Sequence, residues 1–316
     1  MKNIIIIGVG RRVRDDIIPS LEASGVFNIV GVYARHPRDL QIDEHTYFVN
    51  TLSEMKSEHL KKVDWIYMGV PPKSTSGVLR FLSGLNVQST KLIIDTPVLP
   101  WRYIWTKFYF RNFAEVIVAE DIIYLPWIEP VKEFFWGRIS ELRFDHSAYG
   151  YHGIALIKAL LENNKFVSAR LRYINGEKYI HLKTEVGTNI YITEPRDYKN
   201  GSMSFSDLEN SITDTQADLG LKMTPIISDE LCVGLQVGNV RVDFSVSETR
   251  LIGKVSHNVT ITSLTLELKR VGLVKMWTLL AQDKEAGKSV SDATSDTRLN
   301  ELVHYFGKWF NVALFI

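Results

Sequence analysis

Four consecutive isoleucines, Ile4 to Ile7, run directly into Gly8-Val9-Gly10. Successive side chains of a strand point to opposite faces, so a strand that is apolar at every position must be covered on both sides. The glycines that follow allow a sharp backbone turn. Beyond them, Asp15-Asp16-Ile17-Ile18-Pro19-Ser20-Leu21-Glu22-Ala23-Ser24-Gly25 carries acids and Pro near its start and Gly at its end, the start and stop signals of a helix. A second β-rich run at 28–33 completes strand, helix, strand within roughly 30 residues, the βαβ unit of a parallel sheet.

Apolar runs at 47–50, 65–70, 91–95 and 115–119 continue the alternation with helix-like segments. The chain thus reads as α/β, with an N-terminal Rossmann-like doubly wound parallel sheet over residues 1–120. Residues 121–316 read differently. Helical patterns between 124 and 161 are interrupted by one strand at 139–145. Strand-like runs then follow at 168–174, 177–184, 188–192, 231–237, 240–246, 250–255 and 258–268. Strands in succession imply a C-terminal α+β domain with a large open antiparallel sheet. The polar stretch 197–218 reads as a long loop or lid-like insertion, and 271–282 and 297–310 as closing helices.

At 316 residues, two domains fit a prior of roughly 150 residues each. Lys plus Arg number 37 against 36 Asp plus Glu, so no overall basic field exists to hold a polyanion, and neither nucleic acid nor a membrane is an expected partner. The only cysteine, Cys232, excludes an intramolecular disulfide and any multi-Cys metal site. The eight histidines form no His-x-x-x-His pair, and no metal is expected. No stretch approaches the roughly 18 apolar residues of a membrane span, and the expected location is cytoplasmic.

Gly8 and Gly10 supply the first two positions of the G-x-G-x-x-G fingerprint, with Val13 in place of the third glycine. Such a turn lets a pyrophosphate approach the helix N-terminus. Arg11, Arg12 and Arg14 are either a solvated face or additional phosphate contacts. The second strand ends Val32-Tyr33-Ala34-Arg35-His36-Pro37-Arg38. A small residue followed by Arg, where an NAD-selective site places an acid, admits a 2′-phosphate, so Arg35 favours NADP, with NAD still possible.

Beyond the fourth strand come Gly69-Val70-Pro71-Pro72-Lys73-Ser74 and a strand ending Ile94-Asp95-Thr96-Pro97. Later segments are Glu129-Pro130-Val131-Lys132 and Gly150-Tyr151-His152-Gly153-Ile154-Ala155. Their order and spacing resemble the Gfo/Idh/MocA family of NAD(P)-dependent oxidoreductases along the whole chain. The resemblance implies that Pro71 lies in a turn near the nicotinamide. It also implies that Asp95 and Thr96 occupy the Glu and Lys of the family's Glu-Lys-Pro, and that His152 matches the family's histidine. Ala148 and Ala155 replace the aspartates of that last segment.

A threonine hydroxyl neither titrates near neutrality nor carries charge, so alcohol oxidation loses its base. Reduction of an electrophilic carbonyl or imine needs only an acid. The expected function is therefore an NADPH-using reductase of a small or sugar-like substrate, with His152, Tyr124 and Thr96 as catalytic candidates. The alternative is a catalytically degenerate member serving as a dinucleotide- or sugar-binding sensor or scaffold. Asp95 is either a ribose contact or a cap of the turn that follows it. The resemblance further implies a homo-oligomer formed through the C-terminal sheet.

Overall fold

The computed structural model describes every residue except 43, 163, 216–219, 257, 307–311 and 314–316. Its contacts divide the chain into two units, Met1–Asp121 with Leu273–Thr297, and Ile122–Gly272 with the residues from Arg298 onward.

The first unit holds strands β1 (Lys2–Ile7), β2 (Phe27–Ala34), β3 (Arg38–Ile42), β4 (His45–Thr51), β5 (Trp65–Met68), β6 (Lys91–Asp95) and β7 (Glu115–Ala119). They lie in the order β7-β6-β5-β1-β2-β4-β3, with the short strand Lys288–Ser289 beyond β7. Every pair is parallel except the two edges, β3 on β4 and Lys288–Ser289 on β7. The isoleucine run forms the central strand. Ile5 and Ile7 join Met68, Leu79, Leu92 and Val118 in one core layer. At the opposite layer, buried Trp277 donates from its indole N–H to Ser20 Oγ at 2.8 Å and meets Phe27 and Tyr67 edge-on.

The first helix begins earlier than its acids suggest. Arg14 N–H already bonds to the Gly10 carbonyl. A π turn then spans Val13–Ile17, closed by Ile18 N–H on Val13 O, before α1 (Ile18–Ser24). Pro19 is the physical reason: it has no N–H for an α bond and its ring crowds the preceding turn, which a wider turn relieves. Helices α2 (Ser57–Leu60), α3 (Pro72–Ser83) and α4 (Pro100–Phe110) complete this layer of connections.

In the second unit, α5 (Ile128–Phe135) precedes β8 (Glu141–Asp145), and α6 (Gly150–Leu160) follows it. Strands β9 (Phe166–Ile174), β10 (Glu177–Thr184), β11 (Asn189–Glu194), β12 (Ser202–Ser206), β13 (Ser211–Thr213), β14 (Leu221–Ser228), β15 (Leu231–Val237) and β16 (Val240–Asp243) come next. The sheet order is β16-β15-β14-β13-β12-β8-β11-β10-β9, with Val312–Ala313 at the far edge. Pairing is antiparallel except at β8/β11 and β13/β14. One face buries Phe144, Leu182, Ile190 and Phe205 with Ile128, Val131, Ile154 and Ile157 of the helices. The opposite face carries exposed Arg143 and Arg172 and a His181–Tyr191 ring stack at 4.7 Å. The expected fold class, a Rossmann-like parallel sheet followed by an open, mostly antiparallel sheet, is the one observed.

Two local readings are corrected. Residues 250–255 and 258–268, expected as strands, give way to α7 (Val246–Ile252) and the start of the helix Thr265–Ala281. A capping box decides the first: Ser245 Oγ accepts from Glu248 N–H, while the Glu248 carboxylate accepts from Ser245 N–H at 2.8 Å. Within 197–218, expected as a loop, β12 and β13 form because Met203 and Phe205 alternate inward among serines. Of the expected closing helix 297–310, residues 307–310 lie outside the described residues.

Asp214 anchors this added segment. Buried beside it, its carboxylate accepts from Met203 N–H at 2.8 Å and from Thr262 N–H at 2.9 Å. Asp214→Ala strands two buried amide donors and is expected to cost about 2–3 kcal/mol, read as a lower urea midpoint at unchanged slope.

Candidate functional site

The order of the first sheet reverses direction at β1, with β2 on one side and β5 on the other. In open α/β sheets the crevice beyond the strand ends at this point is where ligands bind. Gly8 ends β1 there with φ +104°, and its N–H bonds to Tyr33 O at 2.8 Å. A Cβ on Gly8 would lie 2.2 Å from the Gly69 carbonyl oxygen. No other residue fits that backbone and that contact. Gly10 is the opposite case, since a Cβ there would meet nothing within 4 Å. The space above Gly10 is open, and the helix that starts at its carbonyl presents free N–H groups toward it. The residues present therefore fit a bound pyrophosphate.

Val13, in the third glycine's place, is buried. Its methyl Cγ2 lies 2.5 Å from where a Gly69 Cβ would be. The room that the fingerprint normally clears on the helix is instead cleared on β5's turn, by Gly69.

The arginines divide into separate roles. Arg11 is exposed and pairs with Asp15 at 3.1 Å. Arg12 turns into the protein, with Nε 2.9 Å from Asp95 and Nη2 2.9 Å from Asp121. Burial alone would lower its pKa, but the charges of Asp121 and Asp95 outweigh this and hold the guanidinium firmly protonated. Its donors are thus committed to carboxylates. Arg35 stands exposed at the end of β2, and Arg38 donates to Val9 O of the glycine loop at 3.3 Å. Arg38 was legible as part of the basic turn but not as a loop contact, because β3 folds back as an antiparallel edge to deliver it.

Pro71 immediately precedes α3 and accepts from Ser74 N–H at 2.8 Å. Asp95 Oδ1 accepts from Thr96 N–H at 3.0 Å as well as from Arg12, so the turn-capping role foreseen for Asp95 exists. A small cavity beside it is lined by Met68, Asp95, Thr96, Pro97 and Arg102. Buried Tyr67 lies below, its phenol pKa pushed well up by burial and by the Asp95 charge, with Arg12 opposing. At the end of β7, Glu120 and Asp121 are both fully buried. Two acids directly after the apolar run that ends at Ala119 are the sequence signal for this pair.

In the second unit, Tyr124 is half-buried in the 3-10 turn Asp121–Tyr124. His152 lies in the first turn of α6, its Nε2 2.7 Å from the Tyr151 hydroxyl. Glu194, buried at the end of β11, accepts from Gly150 N–H at 3.0 Å and from Lys178 at 3.3 Å, and so fixes the start of that helix. Arg196 lies near two aromatic rings, its Cζ 5.2 Å from the Tyr149 centroid and 5.1 Å from that of Tyr198. Both contacts leave the guanidinium N–H groups suited to a carboxylate or sugar hydroxyls. Glu194 and Arg196 were missed because they sit 40 or more residues beyond the histidine in sequence.

The sequence matches no protein-family model and no curated protein. Solved structures do match in fold. An aldose-aldose oxidoreductase from Caulobacter crescentus superposes with a TM-score of 0.64, covering 99% of both chains at 10% identity. An oxidoreductase from Agrobacterium radiobacter, in complex with NAD+, L-tartaric acid and magnesium, gives 0.61 at 12% identity, over 97% of this chain and 96% of that one. A scyllo-inositol dehydrogenase from Lactobacillus casei gives 0.59 at 10% identity, over 96% and 95%. The chain has the Gfo/Idh/MocA fold. At this identity the likeness is one of architecture, and the chemistry must be argued from the residues described above.

Gly69→Ala should destabilise the chain by about 1–3 kcal/mol, because the new methyl drives into Val13 and Tyr67. Adding Val13→Gly should recover part of that loss in thermal melts; a fully additive double variant would show that the two positions do not share space.

Proposed function

We propose that this chain is an NAD(P)-dependent oxidoreductase that uses NADPH to reduce a carbonyl or imine group of a small, sugar-like substrate. The observation that carries the reading is the turn at the end of β1, where Gly8 is wedged under Gly69 while the space at Gly10 stays open. Gly10 and Arg11 would hold the pyrophosphate through backbone N–H groups, with Gly8, its own N–H donated to Tyr33 O, making the turn that lets the phosphates approach. Arg35, with Arg38 beside it, would meet a 2′-phosphate, whereas no acid stands there to select NAD. Pro71, Asp95 and Thr96 would border the nicotinamide end. Arg12, committed to Asp95 and Asp121, would serve by holding the Asp95 carboxylate in place rather than by touching phosphate.

When bound, the dihydronicotinamide supplies a hydride. The protein must then supply one proton to the substrate oxygen or nitrogen. Tyr151 and His152 share a short hydrogen bond, so one can release a proton while the other replaces it. Tyr124 and Thr96 remain candidates for orienting the substrate through their hydroxyls. With threonine at the family's lysine position no ammonium is available there to stabilise an alkoxide, which favours reduction of an already electrophilic group over alcohol oxidation. Arg196, beside Tyr149 and Tyr198, would grip a polar part of the substrate. A homo-oligomer built on the exposed face of the second sheet, around Arg143, Tyr191 and His181, goes with this reading, as does a cytoplasmic location.

Titration by calorimetry is expected to show NADPH binding at least tenfold tighter than NADH. Arg35→Gln should cut NADPH affinity by about tenfold, the loss of roughly one charge-assisted contact, while leaving NADH within about twofold. No binding of either cofactor at millimolar concentration would overturn the assignment. With a substrate in hand, His152→Gln should lower kcat by about 100-fold with KM little changed. Tight NADPH binding without turnover over keto-sugars and cyclic imines would instead favour the sensor reading, which the absent lysine also supports.

A further inference from the structure

Residues 101–111 mix aromatics with bases, and α4 turns only one side of that mixture into the protein. α4 packs through Thr106, Tyr109 and Phe110. Its outward side exposes Trp101 (56%), Ile104 (49%), Trp105 (73%) and Phe108 (57%). The spacing is i, i+3, i+4, i+7, so the four side chains form one stripe along a single helix face. Isolated exposed apolar residues are ordinary in proteins. Four large ones in contiguous array on 11 residues, two of them tryptophans, mark a surface meant to be covered.

The charges around the stripe are of one sign. α4 contains exposed Lys107 and is followed by exposed Arg111, while adjoining α3 adds exposed Lys73 and Arg80; Arg102 is half-buried and donates to Pro72 O at 2.6 Å. Between residues 72 and 112 the only acid is Asp95, which Arg12 and the Thr96 amide engage. The cations also sit on the rings themselves: Arg102 lies 4.3 Å over Trp101, and Lys107 Nζ lies 5.6 Å from the Phe108 centroid.

We propose that α4 is a membrane-surface element whose stripe enters the headgroup layer of an anionic bilayer while the flanking bases face lipid phosphates. Aromatic and aliphatic residues bordered by Lys and Arg are the composition of helices that lie in the interfacial plane, where indole rings are favoured. The helix lies on the bilayer and does not span it, because 11 residues reach only about 16 Å against roughly 30 Å of hydrocarbon. No described helix is long and apolar enough to cross a membrane. A second copy of the same face is disfavoured as occupant, since a two-fold contact would set Lys107 and Arg111 of one copy against those of the other.

Co-sedimentation of the intact chain with vesicles tests this. Binding to phosphatidylcholine vesicles containing phosphatidylglycerol should exceed binding to phosphatidylcholine alone by at least about fivefold and weaken as salt is raised. Trp101→Ser with Trp105→Ser should abolish it, and Lys107→Glu with Arg111→Glu should remove the preference for anionic lipid. All four side chains are exposed, so unchanged thermal midpoints are expected. Absence of binding to anionic vesicles, or equal binding by the tryptophan variant, overturns the proposal. So does lipid-free self-association, or capture of an acidic peptide, that the same variant abolishes. NADPH affinity, measured alongside, is expected to be unchanged in these variants, which separates this proposal from the functional one.

Discussion

At the ends of β1 and β5 two backbones approach until no Cβ fits between them. Gly8 supplies a positive φ and the missing side chain, and Gly69 supplies the carbonyl that closes over it. The paired segments of both strands are fully buried, so their ends are held in register by Ile4↔Trp65 through Ile7↔Met68 and cannot drift apart to make room. The open space at Gly10, the placement of the first helix and the course of β5's turn all follow from that contact. The bulk of Val13 is tolerated only because the neighbouring turn gave up its own side chain.

Electrostatics adds a second constraint in the same unit. Asp95 and Asp121 come from two different strand ends and converge on Arg12. Carboxylates this buried are costly to leave unpaired, and a guanidinium with donors in a planar fork can serve both at once. The arrangement makes the tips of β6 and β7 rigid and holds Asp95 where the Thr96 turn begins. In the other unit, Glu194 does comparable work for α6 by accepting from Gly150 N–H just before Tyr151 and His152. In both units the residues with possible chemistry are held by a buried acid on a strand end.

Much of the architecture was legible from local periodicity. Fully apolar runs separated by helix signals can only be parallel strands with both faces covered, and the predicted β1, β2, β4, β5, β6 and β7 are all present. Errors arose where short-range chemistry outweighed β-propensity. The Ser245–Glu248 capping box made a helix of residues rich in β-branched neighbours, and Pro19 bent the first helix into a π turn rather than starting it. The serine-rich stretch around Met203 and Phe205 has the polar composition of a loop but the alternation of a strand.

By itself, the sequence determined the class of fold and the backbone of the glycine turn, because strand burial and positive φ are properties of a few adjacent residues. Tertiary structure alone decided which arginine faces which carboxylate: Arg12 and Asp95 lie 83 residues apart, and a charge reveals its partner only once folding brings the two within about 3 Å. It also decided that the aromatic side of α4 faces outward among bases. A net charge of +1 hides a local basic patch, since summation over the chain discards position, and position is what a surface presents to its surroundings.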